Sequence, residues 1–199
     1  MKANRIMSKA VNEVMFGKMT RLKDTFRYSA QSVIVRESVA EHSFWVAMIG
    51  ATIAWEVEPN SAADVALKGI FHDIEECMTG DLVRDMKYAT EEFRDVVKQL
   101  ERQFLSGLES GLGLVGHHMF STWETAKQWR TGEIVALADA LSVMAYCVQE
   151  RELGNTKLYE IHDNVVQLIH DKFNKDMELW PIAKEAIDES YVRITDARA

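Results

Sequence analysis

Residues 131–153 read TGEIVALADALSVMAYCVQEREL, and this stretch decides the fold class. It is long and mostly apolar, and Gly154 follows it at the point where glycine commonly ends a helix. The rest of the chain repeats apolar residues every three or four positions and contains only two prolines. Because this period is typical of amphipathic helices, the sequence predicts an all-α protein, a helical bundle of about six or more helices.

The predicted helices follow one another with short connections. Their expected bounds are about 4–19, 40–57, 61–73, 91–109, 131–153 and 156–180, with a short helical tail at about 181–199. The segments 20–38 and 110–121 are polar or glycine-rich and are expected to be loops. Ser61 and Asp64 predict a capping box at the start of the third helix, and Pro181 is expected to break the sixth.

The length of the chain predicts a single domain. A chain of 199 residues can bury a core without disulfides or structural zinc. We expect one domain over residues 1–199, with its core at about 10–175 and its tail at about 181–199. The apolar face of the first helix is expected to include Ile6 and Met7.

Composition limits the class of ligand and the location. The net charge is −8, the reverse of the basic surface that binders of duplex DNA or RNA carry. A small anionic substrate is compatible with this charge if a metal ion and a few local Arg or Lys residues make the pocket positive. Cys77 and Cys147 show no paired spacing, which fits a reducing cytoplasm. No stretch approaches the ~20 consecutive apolar residues of a membrane span. We therefore expect a soluble cytoplasmic protein that binds neither a nucleic-acid polymer nor a membrane.

Adjacent His72 and Asp73 are the strongest local signal for chemistry. They offer an imidazole nitrogen and a carboxylate oxygen to one divalent ion, although a polar helix end is the alternative for so common a pair. His42 opens a mostly apolar helix, where its ring can point inward. Asp139 lies in the otherwise apolar run 134–141, and a buried carboxylate is unfavourable unless it is paired or ligates a metal ion. The alternative for Asp139 is a salt bridge to a core Arg or Lys, but its own helix offers no obvious partner.

The order and spacing of these residues resemble those of the HD-domain phosphohydrolases. A histidine is followed about 30 residues later by a His-Asp pair, and about 66 residues after that by an aspartate. The motifs that resemble the bacterial 5′-deoxynucleotidase branch are Arg21-Leu22-Lys23, Arg27-Tyr28, Val39-Ala40-Glu41-His42-Ser43, His72-Asp73-Ile74-Glu75-Glu76, Thr79-Gly80-Asp81-Leu82, Lys87-Tyr88 and Ala138-Asp139-Ala140-Leu141. The resemblance covers roughly residues 10–175 and extends to small viral enzymes that hydrolyse dATP. It implies an HD-domain helical bundle that acts as a phosphohydrolase on deoxynucleotides.

The resemblance also implies a metal site with a catalytic carboxylate beside it. His42, His72, Asp73 and Asp139 would hold one divalent ion, and this ligand set suits Zn²⁺, Mn²⁺, Co²⁺ or Fe²⁺. Glu76 would lie close to the attacking water, where a carboxylate can accept or relay a proton. Glu76 follows His72 by four positions, so both side chains are expected on one helix face.

Four further residues would contact the substrate according to the resemblance. Asp81 would bind a sugar hydroxyl or assist proton transfer, whereas Arg27 and Lys87 would contact phosphate. Tyr28 stands where the family commonly has tryptophan, and it would help to shape the base or sugar pocket. The alternative for Glu76 and Asp81 is that both are solvated acids at helix ends, and Lys87 can equally be a surface charge.

The region 110–132 departs from the family pattern. It reads as a loop and carries His117 and His118, which we interpret as loop histidines rather than as ligands of a second metal ion.

The preferred function is hydrolysis of a deoxynucleoside 5′-monophosphate to a deoxynucleoside and phosphate. One alternative keeps the same site but removes triphosphate from a deoxynucleoside triphosphate, whose phosphate tail needs more room and more cations. A second alternative is a non-catalytic nucleotide sensor. The resemblance further implies a homo-oligomer, a dimer or higher, in the cytoplasm of a bacterium or of a phage-infected host cell.

Overall fold

The computed structural model describes residues 2–87 and 89–197, and of residues 2–8 and 84–85 it describes the backbone only. The side chains of Ile6 and Met7, and the whole of Tyr88, therefore lie outside the described part of the chain.

Helices make up most of the described part of the protein. They are α1 Lys2–Phe16, α2 Val39–Val57, α3 Ala62–Phe71, α4 Glu76–Thr79, α5 Arg84–Lys87, α6 Glu91–Leu112, α7 Leu114–Glu124, α8 Trp129–Glu152, α9 Tyr159–Phe173 and α10 Leu179–Asp196. Short 3₁₀ turns cover Lys18–Lys23 and Pro59–Ser61. Between residues 2 and 197, leaving out residue 88, extended pairing is limited to one bridge between Phe26 and Ser38. The prediction of an all-α fold is confirmed.

Helix α8 is the centre of the hydrophobic core. Its residues Ile134, Val135, Leu137 and Ala138 are fully buried and pack in one cluster with residues of α2, α3, α9 and α10. By length and composition α8 can cross a membrane, the one helix in the described ranges that can, but 67% of its apolar window is buried inside the protein. A helix that is apolar all round is expected at such a position, because it has a neighbour on every side.

The start of α2 is fixed by a capping box that places His42 in the first turn. The Ser38 hydroxyl accepts a hydrogen bond from the Glu41 amide, and the Glu41 carboxylate accepts one from the Ser38 amide. The capping box expected at Ser61 is wrong, since this hydroxyl donates to the Glu58 carbonyl instead. Ser61 has a helical backbone conformation that continues the preceding 3₁₀ turn, whereas an N-cap residue is normally extended.

The expectation of a loop at 110–121 is also wrong, because most of this segment belongs to α7. Gly113, at a φ of 61°, separates α6 from α7 with a backbone conformation that favours glycine. At Gly116 a Cβ atom would lie 2.5 Å from the Leu108 carbonyl oxygen, so this glycine allows α7 to pack closely on α6. The glycine content predicted a loop, but Gly113 ends one helix and Gly116 allows two helices to pack closely.

The prediction that a helix breaks at Pro181 is wrong. Helix α9 ends at Phe173, and α10 begins at Leu179, so Pro181 lies in the first turn of a helix, where its missing amide costs no hydrogen bond. The expected short tail is most of the 18-residue α10. Ala183 and Ile187 of this helix belong to the same core cluster as α8.

Candidate metal centre

Three predicted ligands converge from three helical segments. Ligand atoms of His42 on α2, His72 just after α3 and Asp139 in α8 all lie within 4.8 Å of one another. His42 Nε2 is 3.2 Å from Asp139 Oδ1. Asp73 Oδ2 lies 3.0 Å from His72 Nε2 and 3.8 Å from His42 Nε2, so the carboxylate of the fourth predicted residue joins the same cluster.

The two imidazoles are oriented by hydrogen bonds on their far sides. His72 Nδ1 lies 2.7 Å from the Gly69 carbonyl oxygen, and His42 Nδ1 lies 3.2 Å from the Ser142 hydroxyl. A carbonyl can only accept, so His72 Nδ1 carries a proton, and Nε2 is the nitrogen that can ligate a metal ion. In the described part of the chain, both Nε2 atoms are buried without a hydrogen-bond partner. Two orphaned imidazole nitrogens facing two carboxylates are a donor set that fits a divalent metal ion.

A close helix contact brings the two histidines together. At Gly69 on α3, a Cβ atom would lie 2.7 Å from Ala47 Cα and 2.8 Å from its nitrogen on α2. Gly69 therefore lets the two helices approach at the backbone level, and the rings of His42 and His72 lie 5.3 Å apart between centroids.

Asp139 has the salt-bridge partner that its own helix does not supply. Lys127, in the connection between α7 and α8, places its Nζ 2.7 Å from Asp139 Oδ2. Burial would raise the pKa of Asp139, but Lys127 and the two histidines hold it well below its usual range. Burial would likewise lower the pKa of Lys127, whereas Asp139 and Asp73 raise it. The alternative of a salt bridge therefore has a partner in the structure, a lysine that lies twelve residues earlier and outside α8.

Glu76 lies at the edge of this cluster of acids. Burial and the charges of Asp73 and Asp81 raise its pKa to about 9. Its Oε2 atom is buried and has no hydrogen-bond partner among the described residues. The expected continuous helix face with His72 is interrupted, because α3 ends at Phe71 and α4 begins only at Glu76.

Glu75 is an acid of the site region that the sequence did not single out. It is buried, and its carboxylate accepts a hydrogen bond from Trp123 Nε1 at 2.7 Å. Burial, followed by the charge of Asp73, raises its pKa to about 8. The donor belongs to α7, the segment expected to be a loop, so no sequence signal connected the two residues.

Tyr28 has a strained backbone that Asp81 holds in place. Its φ is 59°, a conformation uncommon for a bulky residue. The Tyr28 amide donates to Asp81 Oδ2 at 3.1 Å, and its ring stacks on Tyr146 with 4.7 Å between centroids. Asp81 therefore has a structural contact of its own, to the segment that carries two of the predicted substrate residues.

Arg27 and Lys87, the predicted phosphate contacts, each have an acidic partner. Arg27 lies over the Tyr28 ring, and its Nη1 donates to Glu37 Oε2 at 2.9 Å. Lys87, on α5, has its Nζ 3.4 Å from Glu101 Oε1 on α6. Side chains of Glu37 and Glu101 are only 9% and 6% exposed, so both lysine and arginine charges are paired with buried carboxylates.

His117 and His118 lie on α7, away from the converging ligands. His117 Nδ1 is 2.6 Å from Glu109 Oε1, and both histidines are exposed. Over the described ranges, neither belongs to a group of side chains that can hold a metal ion.

Solved structures with the same arrangement of helices include HD-domain phosphohydrolases. One from Listeria innocua matches with a TM-score of 0.68 at 21% identity, covering 92% of this chain and 97% of that chain. The HD phosphohydrolase DatZ of cyanophage S-2L, solved with dA and one catalytic Zn²⁺ ion, matches with a TM-score of 0.65 at 13% identity, covering 91% and 96%. Likeness at these identities shows that the chain has the fold of this class.

The sequence of the chain identifies its family within the class. The YfbR-like 5′-deoxynucleotidase family matches residues 14–181, and the chain belongs to this family. A 5′-deoxynucleotidase of Erwinia tasmaniensis is 26% identical over 184 residues, which are 85% of this chain and 89% of that protein. The 5′-deoxynucleotidase YfbR of Salmonella typhi is 28% identical over 171 residues, 82% of each. The predictions of the family and of a phosphohydrolase are confirmed, and the site provides ligands for the predicted divalent ion.

Proposed function

We propose that this protein hydrolyses a deoxynucleoside 5′-monophosphate to a deoxynucleoside and inorganic phosphate at the centre formed by His42, His72, Asp73 and Asp139. The observation that carries the proposal is the convergence of ligand atoms of His42, His72 and Asp139 within 4.8 Å of one another, with the Asp73 carboxylate beside the two imidazoles. Membership of the YfbR-like 5′-deoxynucleotidase family supports the choice of substrate class.

The four ligands would hold one divalent ion, for which Zn²⁺, Mn²⁺, Co²⁺ and Fe²⁺ all suit the donor set. Such an ion supplies Lewis-acid polarisation of the phosphoryl oxygen and activates the attacking water. The protein contributes the orientation of its ligands, through the Gly69 carbonyl behind His72 and the Ser142 hydroxyl behind His42.

Glu76 is the proposed acceptor of the proton that leaves the attacking water. Its Oε2 atom is buried and unpartnered in the described structure, so it is free to take a new hydrogen bond. The neighbouring negative charge of Asp73 contributes to its raised pKa, and a cation bound by Asp73 offsets that repulsion. A bound cation would thus favour the ionised form of Glu76, which is the form that a general base requires.

The segment around Tyr28 would hold the rest of the substrate. Arg27 can offer its further N–H groups to phosphate, because Glu37 and the Tyr28 ring fix its position. Tyr28 would form a wall of the sugar or base pocket, and Asp81 would position it while binding a sugar hydroxyl. Lys87 would donate a hydrogen bond on the phosphate side.

The pairing of the basic residues favours a monophosphate over a triphosphate. Arg27 and Lys87 already neutralise Glu37 and Glu101, so they have little charge left for a long phosphate tail. A triphosphate carries more negative charge than these paired groups can balance.

The test is a panel of deoxy- and ribonucleotides, from mono- to triphosphates, with Mn²⁺, Co²⁺ or Zn²⁺ and with the phosphate products resolved. We expect inorganic phosphate from deoxynucleoside monophosphates. Release of triphosphate from a deoxynucleoside triphosphate would favour the alternative enzyme, and no cleavage with any metal would favour the sensor.

A homo-oligomer, a dimer or higher, and a cytoplasmic location stay predictions. Light scattering of the purified protein and fractionation of cells that express it are the respective tests.

A further inference from the structure

Lys127 is a basic residue of the site that was not predicted from the sequence. Its Nζ lies 2.7 Å from Asp139 Oδ2, while Asp139 Oδ1 lies 3.2 Å from His42 Nε2. Asp139 thus directs one oxygen to the ligand cluster and the other to Lys127. The Lys127 side chain is 48% exposed, so a molecule in solution can contact it.

The backbone around Lys127 is fixed by a close contact, a positive backbone angle and a buried neighbour. At Gly132 a Cβ atom would lie 2.3 Å from the Lys127 carbonyl carbon, so only glycine allows this approach to the first turn of α8. Trp129, two residues on, has a φ of 56°, which is strained for a bulky residue. Ala126, on the other side, is buried. The position of Lys127 is therefore built into the fold.

The charge of Lys127 is balanced differently from that of the other basic groups. Arg27 and Lys87 pair with Glu37 and Glu101, which are not among the proposed ligands. The carboxylate that pairs with Lys127 is a ligand itself, and it shares its charge with a divalent ion whenever one is bound. An ammonium group has three donors, and in the described structure the Lys127 hydrogen bond to Asp139 uses one.

We propose that Lys127 binds the phosphate group of the substrate and of the product, while one of its N–H groups remains hydrogen-bonded to Asp139 Oδ2. The ligand class is a phosphate monoester or inorganic phosphate, recognised by an ammonium point charge next to the ligand cluster. This inference rests on the proposed function, since it assigns a further residue to the same site.

The test compares Lys127→Met, which keeps most of the side-chain length, with Lys127→Arg and with Lys98→Met, a control at an exposed lysine of α6. Calorimetry measures the affinity of metal-free protein for Mn²⁺, and then the affinity of Mn²⁺-loaded protein for inorganic phosphate and for a deoxynucleoside. Melting temperatures establish that each variant is folded.

Lys127→Met should weaken phosphate binding by about tenfold or more, as expected for loss of a charge-assisted hydrogen bond. Deoxynucleoside binding should stay unchanged, and Mn²⁺ binding should be no weaker, because a competing cation beside Asp139 is removed. Lys127→Arg should keep most of the phosphate affinity, and Lys98→Met all of it.

Three results would overturn the inference. The first is phosphate affinity of Lys127→Met within about twofold of the wild type. The second is an equal loss of phosphate, deoxynucleoside and Mn²⁺ binding, which indicates a structural role alone. The third is a wild-type protein that binds no phosphate with Mn²⁺ present. Binding of phosphate through Lys127 without cleavage of any nucleotide would refute the proposed hydrolysis and leave the role of Lys127 in phosphate binding supported.

Discussion

Replacing Gly69 by alanine tests whether the close approach of α2 and α3 builds the metal centre. The added Cβ would lie 2.7 Å from Ala47 Cα and 2.8 Å from its nitrogen. These are backbone atoms, so no side-chain rotation relieves the clash, and α3 must move away from α2. His72 follows Gly69 by one helical turn and would move with it, away from His42.

Two opposing contributions set the magnitude. Alanine in place of glycine in a helix interior stabilises a protein by about 0.5–1 kcal/mol when space allows. Overpacking costs about 1–3 kcal/mol, and a clash with backbone belongs in the upper part of that range. We therefore expect Gly69→Ala to lower the free energy of unfolding by about 1–2 kcal/mol.

Gly107→Ala is the matched control, because Gly107 lies inside α6 and nothing stands within 4 Å of its added Cβ. It should raise the free energy of unfolding by about 0.5–1 kcal/mol. Urea unfolding measures both variants, and Mn²⁺ titration should show weaker binding for Gly69→Ala alone. Equal stability of the two variants, or unchanged Mn²⁺ affinity of Gly69→Ala, would refute the reasoning.

Three further substitutions address the capping box, the orientation of a ligand and a charged contact. Ser38→Ala removes the cap of α2 and should cost about 1 kcal/mol in thermal unfolding. Ser142→Ala removes the contact behind His42 and should weaken Mn²⁺ binding about tenfold. It should also lower the free energy of unfolding by about 1–3 kcal/mol, because His42 Nδ1 is left buried without a partner. Hydrogen bonds from Arg130 lower the pKa of Asp176 from its ordinary 3.8 to about 2. The ionised Asp176 therefore contributes fully to the free energy of unfolding above pH 3.8, and this contribution is lost as the pH falls through about 2. Asp176→Asn should therefore flatten the loss of stability across that acid range, as followed by urea unfolding at several pH values.

For each of these substitutions, one result would contradict the prediction. Ser61→Ala is the control for Ser38→Ala, since Ser61 caps no helix, and an equal loss in both would disprove the role of the capping box. Mn²⁺ affinity of Ser142→Ala equal to the wild type would show that His42 needs no partner at Nδ1. A parallel acid profile for Asp176→Asn would show that this carboxylate does not contribute.

The sequence allowed the converging residues to be predicted because their signals are local. An adjacent His and Asp, a histidine at the start of an apolar helix and an acid in an apolar run can all be read from neighbouring residues. His42, His72, Asp73 and Asp139 do lie together in the structure.

Partners from other segments could not be read in this way. Lys127 meets Asp139 only because α7 and α8 are joined by a tight connection, and Glu101 meets Lys87 across two helices. Such pairs are set by tertiary packing, for which one sequence carries no spacing rule.

The wrong predictions about the helices also arose because tertiary packing cannot be read from one sequence. Ser38 and Ser61 both precede an acid by three positions, and the backbone conformation of the serine decides which of them caps a helix. Gly113 and Gly116 resemble a loop by composition, but the close contact with α6 that uses Gly116 is a property of the packed helices.

Phosphate release by metal-stripped protein, measured while Mn²⁺ is added back, tests the central claim most directly. With deoxynucleoside monophosphates as substrates, we predict no turnover without metal, a rate that saturates at about one ion per chain, and no recovery in Asp139→Asn. Turnover that survives removal of the metal, or full recovery in Asp139→Asn, would contradict the assignment of hydrolysis to this centre.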